Sequence, residues 1–175
     1  LTIAASVVAA TPASADTNTY ADGVGEDLTS VQSDITQYAV SLTPAQLTVT
    51  IWTTASPGAP LPGDAYAIVD LEVNGDESAD YEAIKDDTGK FWTVYEAATG
   101  VVTCRDVPGT MTVNSASFTA PSSCIGSPAS VRGAILVMAG GGWDFAPNGT
   151  LSSFSAPVDA GPDVAPTTTA QQVVY

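Results

Sequence analysis

The 175-residue chain has no histidine, only 4 Lys+Arg against 19 Asp+Glu, and two cysteines. Without an imidazole, a Ser-His-Asp or Cys-His catalytic set and the usual zinc site are excluded, since histidine is their general base or nitrogen ligand. The formal charge of −15 argues against nucleic acid or an anionic membrane as partner, because both need a basic patch to meet phosphates. Lys85, Lys90, Arg105 and Arg132 are too scattered to form one. No apolar run reaches the roughly 20 residues that a membrane span takes. There is no CxxC, no Gly-x-Ser-x-Gly, and no Lys-Ser/Thr after Gly140-Gly141-Gly142. These absences remove a dithiol redox motif, a serine-hydrolase elbow and a phosphate loop, and leave a tight corner as the expected role of the three glycines.

The hydrophobic share of 45% suffices for one core, and the length suits one domain. Leu1 to Ala10 is apolar and small, and is followed by Thr11-Pro12-Ala13-Ser14-Ala15. This reads as the end of an export signal with an Ala-x-Ala cleavage site, or else as a retained N-terminal strand. Export implies an oxidising compartment, in which Cys104 and Cys124 are expected to form a disulfide. From Asp16 to about Val158 the chain reads as short strands. Tyr38, Val40 and Leu42 alternate with small or polar residues, Thr43-Pro44-Ala45-Gln46 turns, and Leu47, Val49 and Ile51 alternate again. Ala67, Val69, Leu71 and Val73 mark one face of another strand, and Phe91–Ala98, Val101–Asp106, Met111–Phe118 and Gly133–Met138 supply more. Asn148-Gly149 is a tight-turn signal. With no sustained helical period, the expected fold is an all-β antiparallel sandwich, immunoglobulin-like or jelly-roll. Residues 159–175, rich in Pro and Thr, read as a linker or tail.

Acidic residues concentrate between Asp70 and Asp87, which hold Asp70, Glu72, Asp76, Glu77, Asp80, Glu82, Asp86 and Asp87. Oxygen donors at alternate positions around Gly75 suggest a calcium site drawn from Asp70, Asn74, Asp76 and Asp80. A solvated hairpin turning at Asn74-Gly75 reads the same residues without a metal. Trp52 and Trp143 are the candidates for stacking on a sugar. Trp52 is opposite in phase to Leu47, Val49 and Ile51, and Trp143 neighbours the glycines.

The runs Asp27-Leu28-Thr29-Ser30-Val31, Val69-Asp70-Leu71-Glu72 with Asp80-Tyr81, Cys124-Ile125-Gly126-Ser127-Pro128 and Trp143-Asp144-Phe145-Ala146-Pro147 carry a family likeness over most of Asp22 to Pro157. The chain resembles the β-sandwich modules, similar to family 9 carbohydrate-binding and DOMON-like domains, that are appended to secreted bacterial proteases and other exported proteins. The resemblance implies a sandwich used for binding or as a spacer, often with bound calcium. The expected function is therefore a non-catalytic extracellular module, secreted or at the cell surface, that binds a polymer, a surface or a partner domain. The alternative is a structural subunit of a filament or surface layer, in which the N-terminal segment completes a neighbouring copy by strand addition.

Overall fold

The computed structural model describes residues 16–22, 34–54, 66–85, 91–112, 114–139, 142–147 and 154–160. The expected signal remnant at 1–15, the Asn148-Gly149 turn and residues 161–175 of the expected tail lie outside the described residues, as do Gly140 and Gly141.

Eleven strands follow one another among the described residues: β1 (Asp16–Ala21), β2 (Ile35–Leu42), β3 (Gln46–Thr53), β4 (Tyr66–Glu72), β5 (Tyr81–Lys85), β6 (Phe91–Glu96), β7 (Val102–Met111), β8 (Ser115–Pro121), β9 (Ser130–Ala139), β10 (Gly142–Ala146) and β11 (Val158–Asp159). The only helical piece among the described residues is a 3-10 turn at Ser122–Ile125, and no described helix is long and apolar enough to cross a membrane. All pairings are antiparallel, in the order β1-β2-β3-β8-β7-β6-β5-β4-β9-β10, with β11 pairing β9 beyond the end of β10. The all-β antiparallel expectation holds. Two separate sheets are not what is seen: ten strands form one continuous path that nearly closes, as in a barrel.

β7 makes that continuity possible. Its first part pairs with β6 and its last three residues, Gly109 to Met111, pair with β8. Within the part paired with β6 the register shifts, and Asp106, between Cys104 and Val107, takes a left-handed conformation (φ 54°). A bulge of this kind bends and twists a strand, so that one strand serves both halves of the path. Gly109 lies where the bend brings backbone against the core. A Cβ there would stand 2.5 Å from Trp92 Cδ1 and 3.0 Å from the Ser117 carbonyl, so only glycine fits.

The two-residue period builds the core. Tyr38, Val40 and Leu42 face Ile51, Val49 and Leu47 across the β2–β3 hairpin, and all six are buried together with Phe118 and Ala120 of β8. Thr43 sets the turn, its hydroxyl accepting from the N–H groups of Ala45 and Gln46. From the other half come Val69, Leu71, Ala83, Trp92, Val94, Ile135 and Val137, with Trp92 tilted against Phe118 at 4.7 Å between ring centroids. Side chains rather than a ladder seal the gap between the path's ends. The buried carboxylate of Asp144 on β10 accepts from the Ile35 N–H of β2 at 2.6 Å. On β1, Tyr20 donates its hydroxyl to the Ala156 carbonyl at 2.6 Å, and Asn18 donates to Pro157. Tyr20 also stacks on Tyr38 at 4.9 Å. Asp159, read from sequence as the start of a tail, pairs with Ser130, and the Ala160 N–H bonds to Ala129.

Cys104 on β7 and Cys124 in the 3-10 turn are bonded, with α-carbons 5.5 Å apart and 20 residues between them in sequence. Closing a loop of that size removes chain entropy from the unfolded state by an amount worth roughly 3 kcal/mol. The Cys104→Ser/Cys124→Ser double variant is therefore expected to lose about that much stability in urea unfolding, with a larger m-value because the unfolded chain without the cross-link is more expanded. A loss under about 0.5 kcal/mol would contradict the entropic account.

Candidate functional site

The acidic segment is the first candidate. Asn74, Asp76 and Asp80 come together in the β4–β5 connection, whereas Asp70 stands on β4 opposite Glu82 of β5. Several of the loop's side-chain oxygens hold it in shape. Asp80 accepts the Val73 N–H at 2.8 Å and the Asn74 amide at 2.7 Å. Asn74 accepts from the Asp76 N–H and Asp76 from the Ser78 N–H, a chain of Asx turns that explains the residue types at alternate positions. Gly75 takes the left-handed conformation the turn requires (φ 83°), and its N–H donates to Glu72. Glu72 is buried and meets Arg132 of β9 at 3.6 Å. Among the described residues no group of three or more His, Cys, Asp or Glu side chains is gathered as metal ligands.

Asp70 is the anomaly of this region. It is 6% exposed, and its Oδ1 is buried without a hydrogen-bond partner. Desolvation, and secondarily the charge of Glu82, push its pKa from 3.8 up to about 6. Two like charges directly opposite on neighbouring strands weaken a sheet.

Trp52 sits half-buried on the outer side of β3, between the buried Ile51 and Thr53, as its phase implies. Trp143 is in β10 opposite Met138, and its side chain lies outside the described residues. Trp92 is core.

Trp52 belongs to a surface that composition gives no hint of. On the outer side of β1, β2, β3, β8 and β7, residues with short hydroxyl side chains line up in transverse rows. One row runs Thr17, Ser41, Thr48, Thr119. The next runs Thr19, Ala39, Thr50, Ser117, Thr110. A third, Ala21, Gln37, Trp52, Ser115, borders them. Hydroxyls bond across the strands: Thr17 to Ser41 at 2.9 Å, Thr48 with Thr119 at 3.0 Å and Thr110 with Ser117 at 2.7 Å. None of these thirteen positions carries a charge, in a chain with 19 acids. The signal was present in the sequence as Thr17-x-Thr19, Thr48-x-Thr50 and Ser117-x-Thr119. What aligned them was the strand register.

Comparison with protein families, with curated proteins and with solved structures finds no match to this chain. The reading of its function therefore rests on its own chemistry.

Because the folded-state pKa of Asp70 is raised, its ionisation opposes folding. The penalty is absent below about pH 4, grows through pH 6 and is complete above it. Asp70→Asn is expected to stabilise the protein by on the order of 1–3 kcal/mol at pH 8 and by little at pH 4, measured by chemical unfolding at both values. Equal effects at the two pH values would contradict the buried-carboxylate account.

Proposed function

We propose that the chain is a non-catalytic extracellular module that binds an extended, uncharged polymer or surface through the hydroxyl face of β1, β2, β3, β8 and β7. The observation that carries this reading is the segregation of charge. Six of the described acids, Asp70, Glu72, Asp76, Glu77, Asp80 and Glu82, lie in β4, β5 and the connection between them, while rows of threonine and serine side by side over five strands hold none. Such a face neither attracts counter-ions nor repels a neutral solid, and it offers both a donor and an acceptor at each hydroxyl. Trp52 at its border adds an apolar plane that can lie against a ring or a methylene surface. The resemblance to secreted binding modules points the same way, as does a disulfide, which persists in oxidising compartments. On this reading the path divides at β7 into two halves that act as the layers of a sandwich. β9 and β2 approach closely enough that a Cβ on Gly133 would stand 3.3 Å from Val40 Cγ2. One half offers the binding surface and the other supports it.

Binding of this kind does not depend on salt, since exposed charges are screened beyond about 8 Å at physiological ionic strength and none is used. Partition between solution and a panel of uncharged solids (cellulose, chitin and ice) is expected to retain the protein on at least one of them equally at low and high salt. Thr50→Lys is expected to abolish retention while leaving Tm unchanged, because Thr50 is only half-buried and faces outward. Retention by none of the solids, or retention that disappears with salt, would contradict the proposal.

A further inference from the structure

Resting on that reading, we infer that the uncharged solid this face fits is a lattice of ordered water, that is, the surface of ice. Neighbouring strands lie about 4.7–4.9 Å apart, and same-side residues two apart along a strand lie about 6.6–6.8 Å apart. Thr17, Ser41, Thr48 and Thr119 form one row at the first spacing, and Thr19, Thr50, Ser117 and Thr110 continue at the second. The array thus repeats in two directions. The oxygen positions of hexagonal ice recur at one distance close to the interstrand spacing and at another close to the two-residue rise. A single polymer chain would need recognition along one line only.

The chemistry of the rows agrees. Thr48 with Thr119, and Thr110 with Ser117, hydrogen-bond to each other. In each such pair one hydroxyl donates inward to its partner, and the other keeps its proton for a water outside. The pairing also restricts the side-chain torsions, so less freedom is lost on contact with a lattice. Threonine further presents a methyl group beside each hydroxyl, which excludes disordered water without disturbing the hydrogen-bonded layer. Charge would orient water around itself and break the lattice, and the rows have none. A glycan platform, by contrast, is built from several aromatic planes, and here Trp52 stands alone at the border among the thirteen positions. Face-to-face pairing of two copies is less well served, because stable homodimer interfaces are enriched in apolar area rather than in hydroxyls. Thr17, Thr19, Thr110 and Thr119 are all exposed, so the array is open to an approaching solid. Sheet twist limits the match to a patch a few strands wide, which is the extent of the two rows.

The test freezes a dilute solution of the protein slowly and measures its concentration in the ice and in the remaining liquid, alongside inhibition of ice recrystallisation. The wild-type chain is expected to enter the ice, while an acidic control protein is excluded. Thr50→Lys and Ser117→Lys, each with wild-type Tm, should reduce incorporation about tenfold or more, because a charge pressed against a neutral lattice is desolvated without a partner. Ser78→Lys, which adds the same charge at an exposed position in the β4–β5 connection, between strands that contribute no residue to the rows, should leave incorporation unchanged. Exclusion of the wild-type protein from ice, combined with retention on cellulose or chitin that Thr50→Lys abolishes, overturns the ice inference and leaves the surface-binding reading in place. Exclusion from ice with retention on no solid overturns both. Incorporation that survives Thr50→Lys and Ser117→Lys overturns the assignment to this face.

Discussion

The structure depends on the two-residue alternation of strands that have one side in the core. Once Tyr38, Val40, Leu42, Leu47, Val49, Ile51, Ala116, Phe118 and Ala120 are committed to the interior, their neighbours in sequence are forced to the outside, and the antiparallel register places them opposite one another. A one-residue slip would exchange the two sets and expose every large apolar side chain in these strands. The burial that fixes the fold therefore also fixes the outer array, at no separate cost in conformational entropy. The hydroxyl face is the other side of the core.

The half built from β4, β5 and β9 follows a different rule. Asp70 and Glu72 are buried on the side of β4 opposite Val69 and Leu71, as is Ala134 on β9, the register partner of Asp70. A strand covered on both sides reads as a nearly continuous apolar run, and Ala134-Ile135-Leu136-Val137-Met138 is one. Within this covered region Glu72 is matched by Arg132, whereas the Oδ1 of Asp70 is not matched. The two halves thus differ in what their outer sides tolerate. One is uniform, open and neutral, and the other is partly closed and charged.

The sequence made some of this legible. Strands with large apolar residues at every second position, such as 38–42, 47–51 and 67–73, stand out, as does the Thr43 turn between the first two. The cysteine pair followed from its number and the expected compartment. Other elements left weaker traces. β1 contributes little of its surface to the core and is mostly threonine, asparagine and aspartate, so its alternation is not one of hydrophobicity. β5 lies inside the acidic run, where Glu82 and Lys85 hide a strand that buries Ala83. By sequence Met111 falls in one run with Phe118, but it ends β7, because the turn falls after it. Closure of the path was not legible either, since it relies on a bulge at Asp106 and on contacts from Tyr20 and Asp144 to segments more than 100 residues away. Three of the four proposed calcium ligands, Asn74, Asp76 and Asp80, share one loop, whereas Asp70 stands apart on β4; Asx turns and cation sites draw on the same short oxygen-bearing side chains, and spacing alone does not separate the two.

The hydroxyl rows are set in place by the fold before anything binds. Three-bond couplings in solution NMR report the χ1 populations of Thr48, Thr110 and Thr119 directly. The account predicts one dominant rotamer for each, compatible with the Thr48–Thr119 and Thr110–Ser117 hydrogen bonds, as β-branched side chains packed in a sheet favour. Couplings averaged over all three staggered positions would contradict it.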